Sequence, residues 1–225
     1  MNMKKDLKGI LLLSAILLFA TPAATPTAAS AEASSAKASS ATSQGSITIT
    51  PGDTITPPID PSVPGGETGT SGPLTIDNVA PLLFASHKLS GGDVTYTTTT
   101  TNPNVQVTDI RGTGAGWTLQ VSATPFKDKT DGTKVLKGAV VTLPVGTLGT
   151  TDANVSTAPT AKKVQLSTDS DITAPQNLMV ATANTGLGTW VDKFDASQVT
   201  IQVPAGNLTG DYESTLSWSL LDAPQ

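Results

Sequence analysis

Residues Gly116–Ala123 read GWTLQVSA, and residues Tyr212–Leu220 read YESTLSWSL. Side chains on an extended chain alternate between two faces, so a period of two separates one face from the other. In the first stretch Trp117, Leu119 and Val121 share a face, opposed by Thr118, Gln120 and Ser122. In the second, Tyr212, Leu216, Trp218 and Leu220 share a face, opposed by Glu213, Thr215, Ser217 and Ser219. Both are half-apolar strands, and both carry a Trp-x-Leu unit. The chain has 3 tryptophans in 225 residues, and two of them sit in this repeat.

Working outward, short alternating or β-branched runs recur at Pro73–Asp77, Val94–Thr99, Val105–Ile110, Ala139–Leu143, Lys163–Ser167 and Gln198–Val203. Turn-forming clusters such as Gly91-Gly92-Asp93, Asn102-Pro103-Asn104, Asp131-Gly132 and Gly206-Asn207 separate them. The many threonines suit a pleated, half-solvated surface, because a branched Cβ packs well there. Several short strands at this spacing predict an all-β fold, an antiparallel β-sandwich or a barrel-like single domain. A single helical turn near Asn177–Ala181 is the only helix expected in this body.

The N-terminus is set apart from that body. Lys4, Lys5 and Lys8 precede an apolar run from Ile10 to Ala20, and Ala29-Ser30-Ala31 offers small residues for cleavage, so residues 1–31 read as a signal peptide. The run is shorter than the roughly 20 residues a membrane-spanning helix needs. Residues 32–72 read as a leader, Ala/Ser-rich at first and then carrying Pro51, Pro57, Pro58, Pro61 and Pro64. Proline lacks an N–H, so this part favours an extended backbone that forms no regular ladder. Ser46–Thr50, SITIT, alternates and is expected to be a strand tying the leader to the body at 73–225. With the signal peptide removed, the loss of three lysines and Asp6 takes the formal charge from −5 to −7. The C-terminus offers neither a hydrophobic tail nor a sorting signal, so a secreted product of this sequence is expected to stay on a cell surface by binding.

Composition narrows the chemistry. With no cysteine there is no disulfide, thiol nucleophile or thiolate metal site, which for a secreted chain favours a Gram-positive exterior. With 13 basic against 18 acidic residues the chain lacks the footprint of a nucleic-acid binder. The one histidine, His87, has no Gly-x-Ser-x-Gly elbow to serve and is too few for a catalytic zinc; it reads as a solvated loop residue. Paired carboxylates need only meet in space, so sequence leaves glycoside cleavage open. Asp169 and Asp171 suit either a Ca²⁺ site or a polar turn, and lack the glycine and terminal glutamate of an EF-hand loop. The loop Asp109–Trp117 is glycine-rich but leads into a strand without a phosphate-binding lysine-serine pair, which excludes a phosphate cradle. The expectation is a binding protein, with no enzyme activity, cofactor or metal.

Four stretches together resemble the WxL-domain proteins, small cell-surface proteins of low-GC Gram-positive bacteria. They are Gly72–Val79 with Phe84 after it, Arg111–Phe126 (RGTGAGWTLQVSATPF), Gly186–Trp190 (GLGTW), and Tyr212–Pro224 (YESTLSWSLLDAP). Pro81–Ala85 departs from the aromatic-glycine pair more usual there. The resemblance implies non-covalent attachment to the cell wall with peptidoglycan as ligand, and partners that include a membrane-anchored WxL-interacting protein. The alternative is a structural or adhesive subunit that assembles with such surface proteins instead of binding glycan itself. Candidate ligand-contacting residues are Trp117, Leu119, Trp218, Leu220, Trp190 and Arg111. Core packing competes with ligand contact for Trp117 and Trp218. Trp190 is expected on an exposed glycine-rich loop, and Arg111 is expected to pair with a carboxylate such as Asp109.

Overall fold

The computed structural model describes residues 39–169 and 172–224. The expected signal peptide, the first residues of the leader and Asp171 lie outside the described residues. Fourteen strands and no helix occur among the described residues. In chain order they are β1 (Leu74–Val79), β2 (Val94–Thr97), β3 (Asn104–Asp109), β4 (Trp117–Ala123), β5 (Lys127–Asp128), β6 (Val140–Leu143), β7 (Thr147–Thr150), β8 (Thr160–Ala161), β9 (Val164–Ser167), β10 (Gln176–Ala181), β11 (Gly188–Lys193), β12 (Thr200–Val203), β13 (Tyr212–Glu213) and β14 (Leu216–Leu221).

All strand pairings are antiparallel. They form three open four-stranded sheets, ordered β1-β3-β11-β7, β14-β4-β10-β8 and β2-β12-β6-β9, and a two-stranded β13-β5 ribbon. No sheet closes on itself, so the arrangement is sandwich-like and not a barrel. One apolar core joins the three large sheets: Val105 and Val107 from β3, Trp117, Leu119 and Val121 from β4, Val141 and Leu143 from β6, Val164 and Leu166 from β9, and Leu178 and Met179 from β10.

Three local expectations are corrected. Asn177–Ala181 forms β10, not a helical turn. Leu178, Met179, Val180 and Ala181 are all buried, and a strand that is apolar on both faces lacks the alternation that would identify it. Trp190 is buried on β11, between β3 and β7, rather than on an exposed loop. Ser46–Thr50 forms no strand; Ile47 and Ile49 are 85% and 84% exposed, and alternation without a partner strand supplies no ladder.

The proline-rich half of the leader packs on the body. β3 presents Val105 and Val107 to the core and Asn104, Gln106 and Thr108 to the opposite face, yet every residue of β3 is buried. The leader supplies that second cover. Gln106 accepts the Ile59 N–H at 2.7 Å through Oε1 and donates through Nε2 to the Pro57 carbonyl at 3.1 Å. Asn104 Nδ2 donates to the Asp60 carbonyl at 2.7 Å, and Val63 exchanges both backbone bonds with Thr101. A proline-laden segment offers few N–H donors, so amide side chains from the sheet satisfy its backbone instead. Beneath it, buried Asp77 accepts from Thr75 Oγ1, Thr108 Oγ1 and Gln106 Nε2 at 2.6, 2.6 and 3.0 Å.

Candidate functional site

The two Trp-x-Leu strands are neighbours. β14 pairs with β4 so that Trp218 lies opposite Val121, Leu220 opposite Leu119 and Leu216 opposite Ala123. Period-two alternation then places both apolar rows on the same side of one sheet. Burial separates the rows. Trp117 and Leu119 are fully buried, and the Trp117 indole N–H donates to the Gly186 carbonyl at 3.0 Å. β14 is an edge strand, and Leu216, Trp218 and Leu220 are each only half-buried.

Trp190 faces the core beside Val107, is buried, and donates its indole N–H to the Leu187 carbonyl at 2.9 Å. Arg111 pairs with Asp109 as expected, through Nε at 2.9 Å and Nη2 at 2.7 Å. Nη2 also donates to the Gly116 carbonyl at 2.8 Å, and Nη1 meets Asp222. The guanidinium thus clips the end of β3 to the start of β4 and the residue after β14. The glycine-rich loop that carries it runs through three positive-φ glycines, Gly112, Gly114 and Gly116, and a Cβ at Gly116 would strike the Ala181 carbonyl. Its glycines serve backbone path and close approach.

Of the six sequence candidates, Trp218 lines a large groove. Trp218 and Leu216 line one wall of a groove of 1170 Å³ that also receives Phe84, Tyr96, Phe126 and Tyr212. These aromatic side chains are all half-buried, each packed against the core on one side. At the mouth, His87 stacks on Tyr96 with ring centroids 3.7 Å apart and planes 14° from parallel. On the rim, Lys129 pairs with Glu213 at 3.3 Å and Asp211 at 3.4 Å. The Glu213 contact first, then the Asp211 charge, raises the Lys129 pKa and keeps the ammonium charged. Buried Asp128 accepts the N–H groups of Thr130, Asp131 and Asp211. Those bonds, led by the one from Asp131, hold its pKa below the usual value and fix the β13-β5 ribbon at the groove's edge.

Such a groove can hold a flat, amphipathic ligand. Aromatic faces pack against C–H groups, and a few polar groups at the rim orient the ligand. Sequence reasoning missed Phe84, Tyr96, Phe126 and Tyr212 as a set and read His87 as an isolated loop residue. They come from segments that only the fold brings together; alternation marked Tyr96 and Tyr212 separately, and Phe84 and Phe126 lay within the stretches that carry the family resemblance, but nothing local linked the four. Asp169 accepts the N–H of Gly138, 31 residues earlier, and so ties the segment after β9 to the one before β6. A family model described as WxL domain, surface cell wall-binding, matches residues 36–224. No curated protein and no solved structure matches the chain.

Proposed function

The chain belongs to the WxL family of surface cell wall-binding domains, and from that premise we propose that it attaches to the wall non-covalently by taking peptidoglycan glycan into the aromatic groove at β14. The observation that carries this reading is the half-buried Trp218, at the meeting point of the twin Trp-x-Leu strands and the groove. A buried tryptophan contributes packing; a half-buried one that shares a groove with two tyrosines and two phenylalanines has a face left for a ligand. The reading makes the chain a binder and not a hydrolase. One feature favours assembly with a partner surface protein instead: β14 lies at the edge of its sheet, where an added strand could pair with it.

Sedimentation with purified peptidoglycan tests the proposal. Wild type should co-sediment, and Trp218→Ala and Tyr96→Ala should stay folded by circular dichroism yet bind about tenfold more weakly, as truncation of an aromatic anchor does. Failure of folded wild type to sediment, together with capture of a WxL-interacting protein, would favour the assembly reading. Release of soluble muropeptides would overturn the assignment as a binder alone.

A further inference from the structure

Asp192 lies on the core-facing side of β11, two residues from Trp190 on the same face. Its cross-strand neighbours are Val105 on β3 and Leu148 on β7. The residue is fully buried, and neither carboxylate oxygen has a hydrogen-bond partner among the described residues. Gly146 lies directly against it, where a Cβ would collide with Oδ1. Burying an ionised carboxylate without a partner is costly, and such a group takes up a proton instead.

Among the described residues no neighbouring charge offsets this; Asp77 on β1 lies on the opposite face of the sheet, held by Gln106 and Thr108. On β11, Lys193 points to the opposite face and pairs with Asp60 at 3.4 Å. On β3 the only ionisable residue is Asp109, at the far end and held by Arg111. β7 and the Pro144–Gly146 loop carry none. In the β14-β4-β10-β8 sheet no strand has an ionisable residue, and in the β2-β12-β6-β9 sheet the only one is Tyr96, at the groove. β7 is the outer strand of its sheet, and Val145 beside it is 59% exposed. Water therefore lies just beyond β7, and an ionised Asp192 reaches it most directly by loosening that strand.

We propose that Asp192 makes the hold of β7 on its sheet depend on pH: the edge strand closes over a neutral carboxyl in acidic surroundings and loosens as that carboxyl ionises. Desolvation raises the Asp192 pKa from 3.8 to about 7. The sign follows from linkage. Below pH 3.8 the carboxyl is protonated whether β7 is closed or open, and above about pH 7 it is ionised in both. Between these limits opening releases a proton, so the opening constant rises about tenfold per pH unit.

Hydrogen exchange of the full chain, corrected for intrinsic rates, reads this directly at Thr147–Thr150. Relative to Asp192→Asn, wild-type protection in β7 should fall about tenfold per pH unit between pH 5 and 7 and level off above. A second neutral variant, Asp192→Leu, matches the apolar surroundings and should show the same flat profile as Asp192→Asn. Equal pH profiles in wild type and either folded variant overturn the proposal. So does a carboxyl-carbon NMR titration of wild type that places Asp192 at the ordinary aspartate value, which requires no variant to fold.

Discussion

Trp117 and Trp218 occupy the same tripeptide, on adjacent strands and the same sheet face, but the first is sealed in the core and the second borders a groove. One substitution should therefore have two outcomes. Trp117→Ala removes a fully buried indole and leaves the Gly186 carbonyl without its donor, at a cost of about 3–5 kcal/mol. Trp218→Ala removes a half-buried side chain at an edge, which costs about 1–2 kcal/mol from lost burial. Urea unfolding of both variants checks the ordering; equal losses would contradict the division of roles. Gly186 belongs to the same argument. Its φ of +69° and the Trp117 Nε1 that a Cβ would approach to 3.0 Å both demand glycine. Gly186→Ala should lose about 1–3 kcal/mol from backbone strain alone, in the same unfolding measurement.

Between residues and the whole molecule, the elements divide by whether residue type alternates, not by whether burial is one-sided. β4 is buried on both faces, yet it was legible because Thr118, Gln120 and Ser122 alternate with Trp117, Leu119 and Val121. β10 was not, because its Leu178–Ala181 run is apolar on both faces and the period disappears. β5, β8 and β13 are two residues each, too short to carry a pattern. The leader was legible as proline-rich and extended, but its docking was not, since that depends on Gln106 and Asn104 reaching across from β3. The Arg111–Asp109 pair was readable from sequence proximity, whereas its reach to Gly116 and Asp222 needed the strand order. The strap gives an element-scale prediction. Gln106→Leu keeps the side chain's size but leaves the Ile59 N–H and Pro57 carbonyl without partners at a covered face. Each unsatisfied buried group costs about 1–3 kcal/mol. Cleavage within the proline-rich leader by a broad-specificity protease should therefore quicken in Gln106→Leu before the remainder of the domain is attacked.

At the scale of the whole molecule, charge decides what kind of wall contact is available. The formal charge is −5 for the full sequence and would be −7 for a product lacking residues 1–31. A polyanion such as teichoic acid would be repelled at that charge without a bridging cation. The groove does not reverse the balance, because its two lysines, Lys88 and Lys129, are matched in number by Asp211 and Glu213, which engage Lys129. What the groove offers is aromatic surface, whose contacts with C–H groups are insensitive to ionic strength. Attraction between exposed charges, by contrast, fades as the Debye length contracts from ~30 Å at 0.01 M salt to ~8 Å at 0.15 M. Binding to purified peptidoglycan should thus change less than about twofold across that range, while Tyr96→Ala weakens it at every salt concentration. A steep loss of wild-type binding with salt would mean that surface charge, and not the Trp218 groove, holds the protein to the wall.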